Sequence, residues 1–189
     1  LDRKYLEDCK QIIAKSQVIV FDTNLEEDIF RFGVDLYKEN DLFLDTVSHT
    51  KALRAKSVIG AFHTIKPNRL EAEALSDISI RNENDLKRAS EYFHAEGVKN
   101  VFITLGPDGV FYSDGQVYVI MKAPKMTPKN ATGAGDAFQA ALVYSELHGF
   151  SIKEKVKFAI GASVMAMNAY ETINPDISEN EIRTIMKKV

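Results

Sequence analysis

Two short apolar runs, Val18–Phe21 and Leu42–Leu44, and the mostly apolar stretch Val101–Leu105 are separated by longer stretches in which apolar residues recur at helical spacing. This alternation constrains the fold more than any other feature of the chain. Short continuous apolar runs of this kind suit strands covered on both faces, and strands joined through helices pair in parallel. Leu6, Cys9 and Ile13 form a helical stripe before the first strand, and Ile29, Phe30, Gly33, Val34, Leu36 and Tyr37 form another after it. A helix is expected over Lys51 to Lys56, then a strand around Thr64-Ile65-Lys66 that Pro67 closes. Asn68 opens a further helix, and Asn82 or Asn84 caps the one that runs through Leu86, Ala89, Tyr92 and Phe93 to Gly97. Gly106-Pro107-Asp108-Gly109 is a turn, after which Val110 to Tyr112 and Val117 to Ile120 pair as a hairpin around Asp114-Gly115. The C-terminal third is helical, with capping boxes at Ser151/Glu154 and Ser178/Glu181. The expected class is α/β, a three-layer αβα sandwich with a mainly parallel sheet.

A chain of 189 residues suits one well-buried domain, and no repeat, low-complexity stretch or linker divides it, so residues 1–189 are read as a single domain. No apolar run approaches the length of a membrane span, and the charged first residues carry no secretory signal. The lone Cys9 excludes an internal disulfide, which fits a cytoplasmic protein. A formal net charge of −3 offers no basic surface for a nucleic acid polymer, and points to a nucleotide or another small substrate.

The stretch Asn130-Ala131-Thr132-Gly133-Ala134-Gly135-Asp136-Ala137-Phe138 reads as an anion-binding helix start. Gly133, Ala134 and Gly135 let the backbone approach a ligand, and the first turn of the following helix presents free N–H groups. A carboxylate at Asp136 beside a phosphate needs a task, and accepting the proton of an attacking hydroxyl is one. The competing reading is tight helix packing, with Asp136 complementing the helix dipole. Neither standard nucleotide fingerprint is present: there is no Gly-x-x-x-x-Gly-Lys-Ser/Thr, and Phe138 stands where a dinucleotide fold has its third glycine. Asn68 and Glu71, three apart, share one helix face and can reach the same ion, although the same pair also makes an ordinary helix cap.

Taken in order, Asn68-Arg69-Leu70-Glu71, Thr104-Leu105-Gly106-Pro107-Asp108-Gly109 and Thr132-Gly133-Ala134-Gly135-Asp136 resemble the ribokinase-like carbohydrate kinases, the PfkB family. The resemblance covers essentially the whole chain and implies transfer of a phosphoryl group from ATP to a hydroxyl of a sugar or nucleoside. It implies Asp136 as the catalytic base, with Gly133, Ala134 and Gly135 forming the anion hole. Asn68 and Glu71 would position Mg2+ and phosphate, Thr104, Gly106 and Gly109 would lie beneath the nucleotide, and Asn168 would flank the adenine. Asn130, the segment from Thr172 to Ser178, and Val47-Ser48 with Lys51 resemble the pseudouridine-kinase branch. The resemblance also allows a monovalent cation and a homo-oligomer. Alternative readings are another sugar or nucleoside kinase of this family, and a nucleotide-binding protein without transfer activity. The family's N-terminal part, with its Gly-Gly substrate motif and small β-sheet lid, has no match here, so the nucleotide half is expected intact and the substrate half incomplete.

Overall fold

The computed structural model describes all 189 residues. Helices α1 (Arg3–Asp8) and α2 (Lys10–Ile13) lead into strand β1 (Val18–Asp22), followed by α3 (Glu27–Leu36), β2 (Asp41–Asp45), α4 (His49–Ala52), a 3-10 segment (Leu53–Ala61) and β3 (Thr64–Ile65). Next come α5 (Arg69–Ser76), α6 (Glu83–Glu96), β4 (Asn100–Thr104), a 3-10 turn (Gly106–Asp108), β5 (Val110–Ser113) and β6 (Tyr118–Met121). Helices α7 (Ala134–Leu147), α8 (Ile152–Met167) and α9 (Glu179–Met186) complete the chain. The fold is α/β, as the alternation predicts. The chain packs as two compact units, residues 1–104 with 111–119 and residues 105–110 with 120–189.

The sheet order is β1-β2-β3-β4-β5-β6. Pairs β1/β2, β2/β3 and β3/β4 are parallel, and the short connections on either side of β5 leave no room for a parallel crossover, so the sheet is mixed. Leu42, Leu44, Ile65, Val101 and Ile103 are fully buried, which accounts for the apolar runs of β2 and β4, whereas β1, expected to be a buried strand, lies at the sheet edge and leaves Val20 47% exposed. The β1/β2 register sets Asp22 opposite Asp45, so both acids stand at the C-terminal edge of the sheet.

In the first unit, Phe30 and Val34 of α3 turn inward four residues apart. The Phe30 ring meets that of Phe21 edge-on at 5.8 Å and stacks on that of Phe62 at 6.0 Å. The helix expected over Lys51 to Lys56 is α-helical only to Ala52 and continues as 3-10 turns to Ala61. Packing accounts for how it ends: a Cβ on Gly60 would stand 1.9 Å from the Glu96 carbonyl of α6, so backbone meets backbone there.

In the second unit, Phe138, Ala141, Leu142 and Ser145 give α7 one buried stripe, and α8 is buried along most of its length. Tyr144 stacks on Phe158 at 5.3 Å, and its hydroxyl donates to Glu179 Oε2 at 2.6 Å, tying α7 to α9. No helix is long and apolar enough to cross a membrane.

Candidate active site

The start of α7 lies in the second unit. Gly133 is its N-cap with φ 84° and ψ −8°, and no side chain caps the helix. The Ala134 N–H reaches only the Ala131 carbonyl, at 3.5 Å, and the N–H groups of Gly135 and Asp136 have no intrahelical partner at this end. By contrast, α5, α6 and α9 each begin with a side chain that accepts from their first-turn amides. Gly135 and Asp136 are exposed, and the Asp136 carboxylate takes no hydrogen bond or ion pair from the protein. A free carboxylate beside unclaimed N–H donors can accept a proton while those donors hold an anion.

The loop before α7 is fixed from α8 and the segment after it. Ser163 donates to the Ala134 carbonyl at 2.7 Å. The Met167 carbonyl accepts from Lys129 N at 2.9 Å and from Asn130 N at 3.4 Å. The Thr172 carbonyl lies against Gly133, where a Cβ would stand only 2.5 Å away, so both this approach and the positive φ require glycine. Asn174 joins the same frame, its amide donating to the Met165 carbonyl at 2.8 Å. Asn168 caps the end of α8 with its side chain exposed.

Gly106 and Gly109 form the predicted turn, with Leu105 N donating to the Gly109 carbonyl at 2.8 Å. Gly109 has φ 102°, and a Cβ there would lie 2.0 Å from the Met121 carbonyl. Gly106 (φ 61°) is exposed and open around its Cβ position.

The first unit brings Asn68, Glu71 and Thr104 together. Asn68 pairs with Thr104 in a parallel bridge, and Thr104 N donates to the Pro67 carbonyl at 2.9 Å. Asn68 Oδ1 accepts from Glu71 N at 3.0 Å while Glu71 Oε2 accepts from Asn68 N at 2.8 Å, a complete capping box. The local reading of this motif is therefore real, yet it does not account for all of Glu71. The residue is 5% exposed, no lysine or arginine pairs with it, and Oε2 also accepts from the buried Thr46 hydroxyl at 2.5 Å. Oε1 accepts no hydrogen bond from the protein.

Thr46 is a residue that sequence reasoning missed; its only signal is its place directly after Asp45 at a strand end. Lys66 is another, since its buried ammonium lies 3.2 Å from Asp45 Oδ2, whose partner oxygen accepts from Val47 N at 3.1 Å. Val47 has φ 57°, rare for a β-branched residue, at this same edge. An open cavity of about 530 Å³ bordered by His63, His94, Lys99, Asn100 and Asp114 also lies in the first unit, but no predicted site residue lines it.

Comparison with known proteins shows which proteins the chain is similar to. The chain is 37% identical over 176 residues to the pseudouridine kinase of Escherichia coli K12, covering 93% of this chain and 56% of that enzyme. A sugar-kinase candidate from Clostridium perfringens superposes with a TM-score of 0.95 at 36% identity, over 100% of this chain and 60% of that one. Arabidopsis thaliana ribokinase, solved with ribose and ATP, shares the fold with a TM-score of 0.85 at 20% identity, over 96% of this chain and 59% of that one. The chain thus spans little more than half the length of these relatives. The pfkB carbohydrate kinase family matches residues 2–180, and the chain belongs to that family.

Proposed function

We propose that this chain carries phosphoryl-transfer residues of a cytoplasmic, ATP-dependent kinase that acts on pseudouridine and yields pseudouridine 5′-phosphate. The observation that carries the class is the open start of α7, where the unpaired Asp136 carboxylate stands among free backbone donors. The 37% identity to a pseudouridine kinase favours this acceptor over other sugars and nucleosides, as do Asn130 and the segment around Asn174.

In this reading Asp136 accepts the proton of the attacking 5′-hydroxyl. The transition state of phosphoryl transfer is loose, with charge spread over the equatorial oxygens, so Asp136 need not be a strong base. The N–H groups of Gly135 and Asp136 stabilise that charge without having to reorganise, because the helix already fixes them.

Glu71 fits Mg2+. It is a buried carboxylate with no cationic partner and one oxygen left over, with no cluster of three His, Cys, Asp or Glu side chains around it. Mg2+ commonly takes one or two carboxylates and otherwise phosphate oxygens and water. When bound it supplies positive charge to the nucleotide phosphates; Glu71 would hold it, with Asn68 alongside. Thr104, Gly106, Gly109 and Asn168 are assigned to nucleotide binding. A monovalent cation near α7 would meet the amide of Asn130 rather than a carboxylate.

Steady-state kinetics with the product of the complete reading frame test the proposal. kcat/KM should be higher for pseudouridine than for uridine, ribose or fructose 6-phosphate, because a site that uses the additional ring N–H of pseudouridine rejects acceptors lacking it. Ribose or uridine as the best acceptor would overturn the substrate. ATP binding without transfer to any acceptor would overturn the kinase activity.

A further inference from the structure

We infer that Thr46 is a positioning residue, whose hydroxyl holds the Glu71 carboxylate so that Oε1 is presented to a divalent cation. The inference rests on the reading of Glu71 as the Mg2+ holder. A capping box requires one bond to the carboxylate, and Asn68 N already supplies it to Oε2 at 2.8 Å. Thr46, directly after β2, adds a second donor to the same oxygen at 2.5 Å. Because a carboxylate oxygen only accepts, the threonine hydroxyl must donate.

The terminal torsion of a glutamate is broad, so one hydrogen bond leaves its carboxylate plane loosely set. Two donors on Oε2 fix the plane and leave Oε1 as the oxygen without a protein partner. A buried carboxylate with no lysine or arginine in an ion pair with it is costly, and a cation on Oε1 offsets that cost. Thr46 itself is held from the β1 side. It is fully buried, and its carbonyl accepts from the Thr23 hydroxyl at 2.7 Å and from Ser48 N at 2.6 Å.

The test is Mn2+ binding in the presence of a non-hydrolysable ATP analogue, read from the electron paramagnetic resonance signal of free Mn2+. Loss of a group that orients a metal ligand typically weakens metal affinity 10–100-fold. Thr46→Val, which keeps the shape and removes the hydroxyl, should raise the Mn2+ Kd by about tenfold or more, whereas Thr46→Ser should stay within about threefold of wild type. Thr46→Ala carries the same expectation as the valine variant if the latter does not fold. Thr23→Val, an equally buried change that removes the bond to the Thr46 carbonyl but not the one to Glu71, should leave the Mn2+ Kd within about threefold. Glu71→Gln separates the two ideas. If it binds Mn2+ as wild type does, the metal reading of Glu71 fails and the inference with it. If it weakens binding while Thr46→Val and Thr46→Ala do not, the metal reading stands and the role of Thr46 is overturned. Equal weakening by Thr23→Val and Thr46→Val would reduce Thr46 to a packing residue and also overturn it.

Discussion

The side-chain amide of Asn130 donates to the carbonyl of Tyr170 at 3.1 Å, 40 residues along the chain, while its oxygen accepts from Thr132 N at 2.9 Å. One side chain thereby joins the loop before α7 to the segment after α8. An aspartate could keep the bond from Thr132 but has no donor for Tyr170, and would set a negative oxygen against that carbonyl. Asn130→Asp should lower stability by about 1 kcal/mol, the usual net worth of such a bond. Urea unfolding measures it, and an unchanged midpoint would show that the Tyr170 bond contributes nothing.

Asp136→Asn keeps size and most hydrogen-bonding capacity but removes the proton acceptor. In the complete enzyme kcat should fall by roughly 10²–10⁴-fold, with the KM for ATP and the melting temperature close to wild type. If Asp136 only complemented the helix dipole, the change would instead cost up to about 1 kcal/mol of stability and spare turnover. Kinetics and melts on one preparation distinguish the two, and turnover within about threefold of wild type would refute the base.

Gly133→Ala and Gly106→Ala form a matched pair, because both glycines have positive φ but only Gly133 faces backbone, the Thr172 carbonyl. Left-handed backbone costs a residue with a Cβ about 1–2 kcal/mol, so Gly106→Ala should lose roughly that much. Gly133→Ala should lose more and should also weaken ATP binding, since relieving the clash displaces the α7 amides. Calorimetric melts and ATP titrations check this, and equal losses at the two positions would contradict the crowding at Gly133.

Two surface carboxylates give stability an acid limb. Hydrogen bonds from the Ser151 hydroxyl and backbone hold Glu154 below its ordinary value of 4.5, and hydrogen bonds from Tyr144 and Arg183 hold Glu179 below it as well. A depressed folded value means that the contribution is complete above about pH 4.5 and is lost as pH falls through the folded values. Tyr144, raised by its bond to Glu179, works in the opposite sense: its contribution is complete below its ordinary value of 10.0 and is lost as pH rises above it. Denaturant midpoints between pH 7 and pH 3 should therefore fall less steeply in a Glu154→Gln, Glu179→Gln double variant. These groups are exposed, so the difference should shrink with added salt. A slope identical to wild type would remove both residues from the acid limb.

The sequence by itself determined the elements and their motifs. Continuous apolar runs mark β2 and β4, because strands buried on both faces need apolar residues at every position, while the run of β1 marks a strand at the sheet edge. Gly133-Ala134-Gly135-Asp136 marks a helix start with free donors, and Asn68 with Glu71 marks a capped one, because caps and first turns are set within a few residues. The segment after Ser48 was less legible: local spacing favours an α-helix to Lys56, while the packing of Gly60 on Glu96 accompanies a tighter course. Tertiary structure alone decided which groups face those motifs. Thr46 donates to Glu71 from 25 residues away, Lys66 pairs with Asp45, the Thr172 carbonyl crowds Gly133, and Tyr170 accepts from Asn130. Such partners leave no periodic trace, because they depend on where separate strands and helices end once the core has packed. The local pattern places the Glu71 carboxylate on its helix, and the packed chain decides which of its two oxygens stays free.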